Sequence, residues 1–143
     1  MFGSSRTAFT RTPTFRQRTI TRTRSAVLAV ASDPYSLTSI TDVVLVNGSQ
    51  YRTVFDVAQR TVTSTTPENR TSQTVFDQKG RAVQLAFGGL TPVATQYDTR
   101  GRVLELRQAN RVTAFGYDGH DRLARLTDPL QRTVEFTLTM RTV

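Results

Sequence analysis

Four aromatic–aspartate pairs are the residues of this sequence whose types and spacing could do chemistry. They are Phe55-Asp56, Phe76-Asp77, Tyr97-Asp98 and Tyr117-Asp118. A carboxylate and a phenol can each serve as a general acid or base. A catalytic site is normally a single place in a protein, whereas these pairs recur at intervals of 21, 21 and 20 residues. The repetition therefore favours a structural role, and we expect no catalytic residue.

The single histidine is the other candidate for chemistry. His120 lies between Asp118 and Asp121, and the sequence contains no cysteine, so a histidine cluster or a thiolate metal site is excluded. The two aspartates lack the full acidic spacing of a calcium loop. Gly88-Gly89 is not followed by the Lys-Ser/Thr pair of a phosphate-binding loop. We expect a turn-exposed histidine, no metal, no cofactor and no enzymatic activity.

Each aromatic–aspartate pair begins a six-residue motif that ends in arginine. The four copies read FDVAQR, FDQKGR, YDTRGR and YDGHDR. Their shared residues are Phe55, Asp56, Arg60, Phe76, Asp77, Gly80, Arg81, Tyr97, Asp98, Gly101, Arg102, Tyr117, Asp118 and Arg122. A weaker copy starts at Tyr35, with Ser36 in place of aspartate, and Leu138 stands where a further aromatic would be. A near-constant period of this kind indicates a repeat architecture.

The motif has the residue types of a tight turn. Aspartate is favoured at the first position of a type I turn, because its carboxylate accepts a backbone N–H two residues on. Glycine suits the left-handed residue that closes such a turn, and this combination joins many bulged hairpins. Gly80 and Gly101 fit that position, and Asp121 tolerates it. Gln59 tolerates it poorly, so we expect the first copy to be the least regular.

The residues between the motifs alternate as β-strands do. Val83, Leu85 and Phe87 are spaced two apart, which is typical of a strand with one buried face. A second turn follows about eleven residues after each aromatic, and Asp128-Pro129 marks the last of these turns. The pattern predicts an all-β antiparallel meander of tandem hairpins, with about eight to ten strands. The aromatics should stack along the sheet, and each arginine should pair with the aspartate of its own or a neighbouring turn.

The positive charge of the chain is concentrated at its start. The whole chain carries +8, but residues 1–32 contain six arginines and no acidic residue, and residues 33–143 are nearly balanced. We expect 1–32 to be a disordered basic tail, followed by a first short strand. A targeting segment that includes residues 26–32, AVLAVAS, remains an alternative, although this apolar stretch is shorter than that of a usual secretory signal. No run of about 18 apolar residues is present to span a membrane.

The motif resembles the repeats of the YD-repeat, or Rhs-repeat, family. The matching positions include Tyr97, Asp98, Gly101, Arg102, Tyr117, Asp118, Arg122, Leu123, Asp128, Pro129 and Phe136. The repeats fall near 34–54, 55–75, 76–96, 97–116 and 117–138. The sequence departs from the family pattern at Gln131, where glycine is usual, and in its small number of repeats.

The resemblance implies a β-strip of the kind that spirals into a hollow shell in toxin complexes, polymorphic toxins and animal cell-surface proteins. It implies a structural module whose partner is a set of further YD repeats or a cargo polypeptide. The two open edges of a short sheet also predict self-association. A carbohydrate or cell-envelope binding module remains an alternative, through the arginines at 52, 60, 81, 102, 107, 111, 122 and 125. Nucleic-acid binding through the basic tail is a weaker alternative. The protein would be secreted or surface-associated if it is exported, and cytoplasmic otherwise.

Overall fold

The computed structural model of the protein describes residues 18–137, and these form one antiparallel sheet. Eleven strands follow one another in chain order, so each hairpin pairs two consecutive strands. The strands are β1 (Ile20–Leu28), β2 (Leu37–Val46), β3 (Ser49–Asp56), β4 (Thr61–Thr65), β5 (Thr71–Phe76), β6 (Ala82–Phe87), β7 (Val93–Tyr97), β8 (Val103–Gln108), β9 (Arg111–Tyr117), β10 (Leu123–Thr127) and β11 (Thr133–Glu135). The predicted all-β meander is confirmed.

The strand register gives the sheet two different faces. Residues opposite each other on paired strands lie on the same face, and so do alternate residues of one strand. Phe55 lies opposite Val62, and Leu85 lies opposite Val93. We call this side the aromatic face; it carries Ile40, Phe55, Val62, Phe76, Leu85, Val93, Tyr97, Leu106, Phe115, Tyr117 and Leu126. The other side, the polar face, carries Thr63, Gln73, Gln84, Gln96 and Glu105. The four motif aromatics therefore share one face, as the period predicts.

The sheet is a single layer without an enclosed core. Among residues 18–137 no side chain is fully buried. Leu85 and Phe87 on the aromatic face are 38% and 51% exposed. Stable domains normally pack at least two layers against each other, because a sheet must bury its apolar face. Among the described residues, 18–137, no second layer covers the aromatic face.

The hairpin connections lie alternately at the two ends of the strands. We call the end that carries the motif turns the YD rim; it includes the turns at 57–60, 77–81, 98–102 and 118–122. The other end, the opposite rim, carries Asn47-Gly48, residues 66–70, residues 88–92, Ala109-Asn110 and residues 128–132. Asn47 and Gly48 both have positive φ, as a type I′ hairpin turn requires.

The predicted basic tail is partly a strand of the sheet. Residues 20–28, placed in the tail by composition, form β1 and pair with β2 over its length. Arg24 lies opposite Asp42 and binds it through Nε at 2.8 Å and Nη2 at 2.7 Å, and Arg22 contacts the same carboxylate at 3.3 Å. Asp42 thus relieves the repulsion expected between neighbouring arginines. The part of the predicted tail before residue 18 lies outside the described residues.

Tyr35 does not occupy the position of the other four aromatics. It lies in a 3-10 turn, Pro34–Ser36, between β1 and β2, and its side chain is 95% exposed. Asp33 caps this turn by accepting a hydrogen bond from the Tyr35 N–H at 2.9 Å. The position at the end of β1 is instead held by Leu28, and the N–H of the next residue, Ala29, donates to the Ser36 carbonyl at 2.8 Å. Leu138, the candidate for a further copy, lies outside the described residues.

Candidate functional site

The turn at 98–102 has the bulged form that the motif predicts. The Gly101 N–H donates to the Asp98 carbonyl at 3.0 Å, and the Asp98 N–H donates to the Arg102 carbonyl at 2.9 Å. Gly101 has a φ of +87°, in the region that glycine adopts most easily. The register shifts between Gln96 and Tyr97, so one residue is inserted on β8 as in a β-bulge. The turns at 77–81 and 118–122 have the same bonds and the same shift.

The aspartate of the motif holds the turn together through both carboxylate oxygens. Asp98 Oδ1 accepts the N–H groups of Arg100 and Arg102, each at 2.9 Å, and Oδ2 accepts Arg102 Nε at 2.6 Å. The same arrangement is found in the pairs Asp77–Arg81, Asp118–Arg122 and Asp128–Arg132. The predicted pairing of arginine with the aspartate of its own turn is confirmed at three of the four motif turns, those of Arg81, Arg102 and Arg122. Asp128 and Arg132 form the same pair at a turn for which the sequence predicted no such pairing.

The arginine also contacts the tyrosine of the next repeat. Arg81 Cζ lies 4.5 Å from the ring centroid of Tyr97, and Arg102 Cζ lies 4.4 Å from that of Tyr117. The Tyr117 hydroxyl donates to the Val103 carbonyl at 2.8 Å, and Tyr97 makes the equivalent bond to Ala82 at 2.9 Å. The guanidinium lies over each of these rings, in a cation–π arrangement. We call this Asp–Arg–Tyr chain the inter-repeat clamp, because at these two junctions it ties one hairpin to the next.

A second ion pair joins the last two motif turns. Arg102 Nη1 contacts Asp121 Oδ1 at 2.7 Å, and Arg100 contacts the same oxygen. Asp121 occupies the left-handed position with a φ of +65°. At the preceding junction that position is Gly101, and Arg81 Nη1 is buried without a hydrogen-bond partner among the described residues. The residue in the left-handed position therefore decides whether the arginine of the previous repeat has a second partner.

The first motif turn is the irregular one, as its glutamine predicts. The left-handed residue is Arg60, with a φ of +50°, and not Gln59. Asp56 remains in the strand, pairs with Thr61, and its carboxylate accepts only the Gln59 N–H, at 2.8 Å. The β3–β4 register has no shift. Arg60 therefore does not bind its aspartate, and its Nε donates to the Phe76 carbonyl at 3.3 Å.

Two turns of the opposite rim repeat the motif geometry, which the sequence predicted only as turns. In 128–132, Asp128 accepts the N–H groups of Leu130 and Arg132 at 2.9 Å, with Pro129 at the second position. In 66–70, the Thr66 N–H donates to the Arg70 carbonyl at 2.9 Å. The left-handed residues are Gln131 (φ +63°) and Asn69 (φ +59°). The shared arginine at the fifth position was the sequence signal for this similarity.

His120 lies at the third position of its turn, with an exposed side chain. Its backbone N–H donates to Asp118 Oδ1 at 2.8 Å. Across residues 18–137 there is no group of three or more residues that could hold a metal ion. The residues predicted from the sequence do not converge on one site. Those of the four motif copies lie in successive turns along the YD rim, and Asp128 and Pro129 lie at the opposite rim.

The hydrogen bonds of the motif lower the pKa values of its aspartates. The backbone N–H of Arg122, followed by its side chain, lowers the pKa of Asp118 to about 2. The Arg24 side chain lowers the pKa of Asp42 to about 2 as well. Desolvation raises the pKa of Asp98, but the hydrogen bonds from Arg102 outweigh it, so the net direction is down. These carboxylates are held ionised, which is the form that accepts hydrogen bonds from the turn.

We expect the folded sheet to lose stability in acid. A carboxylate with a lowered folded-state pKa contributes its stabilisation above its unfolded pKa, near 3.8, and loses it as the pH falls through about 2. The melting temperature should therefore fall between these two pH values. Differential scanning calorimetry of the full chain and of Asp118→Asn tests this, because the variant should show a shallower fall. A melting temperature that stays flat through this window would contradict the turn geometry.

The fold and its clamps define a class: a tandem β-hairpin repeat protein with an aspartate-closed, arginine-bound turn in each regular unit. The sequence model of the family described as Teneurin YD-shell matches residues 4–141. The chain therefore belongs to the Teneurin YD-shell family, and the resemblance to YD repeats is confirmed. No protein with a curated description matches the chain.

Proposed function

We propose that the chain is a non-enzymatic structural module, part of the wall of a YD-type shell or scaffold that encloses or contacts another polypeptide. The observation that carries this proposal is the aromatic face of a one-layer sheet, with no fully buried side chain among residues 18–137. A sheet with an uncovered apolar face is stabilised when another layer removes that face from water. Membership of a family described as a shell supports the same function.

The strand edges support contact with another polypeptide as well. In the described residues β1 and β11 each pair with one neighbour, so both outer edges present free backbone groups. Such edges pair readily with additional strands. Further YD repeats, a second copy of the chain or a cargo polypeptide could supply these strands or cover the aromatic face. In this proposal an exported chain acts outside the cell or at its surface.

The contacts of the motif residues support a structural role for them. The carboxylate of Asp98 accepts three hydrogen bonds from its own turn, and the Tyr97 hydroxyl is committed to the Ala82 carbonyl. A general acid or base must instead reach a substrate proton. We infer that the motif residues position strands and do not perform chemistry. Within 18–137 there is also no helix long and apolar enough to cross a membrane.

The two alternative functions receive less support from the geometry. Of the eight arginines proposed to face an anionic sugar, four are held in ion pairs: Arg81, Arg102, Arg107 and Arg122. Salt-sensitive sugar binding that survives Tyr117→Phe would favour a carbohydrate module. For nucleic acid, Arg22 and Arg24 are already occupied by Asp42. Loss of nucleic-acid binding and of its salt dependence when 1–32 is deleted would favour that alternative.

Two matched double variants test the aromatic face. Leu85 and Phe87 lie on the aromatic face of β6, and Gln84 and Ala86 lie on its polar face. We expect Leu85→Lys with Phe87→Lys to weaken self-association by about tenfold or more, because fully burying each apolar side chain contributes about 1.5–3 kcal/mol. Gln84→Lys with Ala86→Lys adds the same charge and should leave association nearly unchanged.

Sedimentation equilibrium of the full chain over a range of concentrations gives the readout. Fluorescence of a dye that binds apolar surface provides a second measurement, and it should fall only in the aromatic-face variant. Equal weakening by both pairs would show that charge, and not the aromatic face, controls association. A wild-type chain that stays monomeric and binds no dye would overturn the proposal.

A further inference from the structure

A pocket of about 380 Å³ opens at the YD rim between the first two motif copies. The pocket is lined by three apolar side chains, those of Phe55, Val62 and Phe76, and by Arg60, Asp77, Gln78 and Gly80. Small-molecule sites are typically clefts of about 300–1,000 Å³ with mainly apolar walls and a few polar groups. The pocket therefore has the size and the lining of a binding site for one small group.

The pocket arises from the irregular turn of the first copy. At the two following junctions the guanidinium of Arg81 or Arg102 lies over the ring of the next tyrosine. At this junction Arg60 is itself the left-handed residue of the turn, and its Nε donates to the Phe76 carbonyl. The space beside the Phe76 ring is therefore left open, whereas the regular clamp places a guanidinium over the corresponding ring.

The charged group that the pocket offers to a ligand is the positive side chain of Arg60. Asp77 is bound by the side chain of Arg81 at 2.7 Å, so its carboxylate is neutralised within its own turn. Arg60 makes no ion pair with any residue of the described chain, and its side chain is exposed. Its Nε donates to the Phe76 carbonyl, but no ion pair within 18–137 involves its terminal nitrogens. A guanidinium without an anionic partner beside apolar side chains is complementary to a ligand that joins an apolar body to a carboxylate.

We propose that this pocket binds an aromatic carboxylate about the size of one phenylalanine residue. The ring packs on Phe55, Val62 and Phe76, and the carboxylate is bound by Arg60. The free C-terminal residue of an apolar peptide and a small aryl acid share this chemistry. The proposal does not depend on whether the chain forms part of a shell.

N-acetyl-phenylalanine and its uncharged amide are the probes that test the pocket. We expect the full chain to bind the acid about fivefold more tightly than the amide, as a solvent-exposed charged hydrogen bond allows. Arg60→Gln should abolish this preference and leave the affinity for the amide unchanged. Arg70→Gln removes an exposed arginine from the opposite rim and should change neither affinity. NMR titration measures each dissociation constant and locates the shifted resonances.

Gln59→Gly tests the origin of the pocket independently. Glycine at this position permits the bulged turn of the other copies, so Arg60 can bind Asp56 and lie over Phe76. We expect this variant to lose binding of both probes and to have a higher melting temperature. The proposal is overturned if wild type binds acid and amide equally, or if Arg60→Gln keeps the preference. Unchanged binding by Gln59→Gly would equally overturn it.

Discussion

Tyr117→Ala is expected to lower the free energy of unfolding by about 2–3 kcal/mol. The ring lies beneath the guanidinium of Arg102, 4.4 Å from its Cζ, and the hydroxyl donates to the Val103 carbonyl at 2.8 Å. Alanine removes the cation–π contact, the hydrogen bond and the packing of a half-buried ring together. Urea denaturation of the full chain, followed by circular dichroism, measures the change.

Two further tyrosine variants separate the contributions. Tyr117→Phe keeps the ring and loses the hydroxyl, so it should cost about 1 kcal/mol. Tyr35→Ala changes a tyrosine that is 95% exposed, and it should stay within about 0.5 kcal/mol of wild type. If Tyr117→Ala were no more harmful than Tyr35→Ala, the inter-repeat clamp would not stabilise the sheet.

The turn of each regular unit could be predicted from the sequence because its determinants are local. Asp98 and Gly101 are three residues apart, and the bonds that close the turn run between neighbours in the chain. The preference of aspartate and glycine for these positions holds in any surrounding. The same reasoning correctly identified the first copy as irregular, since Gln59 lacks the conformational freedom of glycine.

The clamp could not be predicted, because it depends on strand register. Arg102 and Tyr117 are 15 residues apart, and the contact exists only because β8 and β9 pair as they do. The periodicity predicted that the aromatics would stack along the sheet. The structure shows that a guanidinium lies over each of the two tyrosine rings, Tyr97 and Tyr117. The arginine was predicted to bind aspartate, and its second contact was missed.

Strand β1 shows a second limit of local reasoning. Its sequence, ITRTRSAVL, alternates threonine and arginine, and composition alone made it a tail. The partner that neutralises its arginines, Asp42, is 18 residues beyond Arg24 and belongs to β2. The two-residue period of the arginines was the available signal, because it places Arg22 and Arg24 on one face of a strand.

The left-handed position of each motif turn connects local conformation with the clamp. Gly101 has a φ of +87°, and a Cβ added there would lie 3.7 Å from Arg81 Nη1, an ordinary contact distance. Crowding is therefore not the constraint on this position. The constraint is the backbone conformation, which costs residues with a Cβ about 1–2 kcal/mol.

Gly101→Ala is accordingly expected to destabilise the chain by about 1–2 kcal/mol. Gly119, in the next turn, lies outside the left-handed region and has nothing within 4 Å of an added Cβ. Gly119→Ala should therefore stabilise the chain by about 0.4–1 kcal/mol, because it restricts the unfolded chain. Chemical denaturation of both variants measures the difference, and similar effects of the two alanines would contradict the turn geometry.

Gly101→Asp separates the conformational cost from the ion pair. Asp121 already occupies the equivalent position at φ +65° and binds Arg102, so aspartate is compatible with this turn. A carboxylate at residue 101 would lie beside Arg81 Nη1, which has no partner in the described structure. We expect Gly101→Asp to be clearly more stable than Gly101→Ala, and to lose this advantage when combined with Arg81→Lys, since lysine lacks the planar fork that binds both turns. If Gly101→Asp is as unstable as Gly101→Ala, the left-handed residue does not act on the preceding repeat.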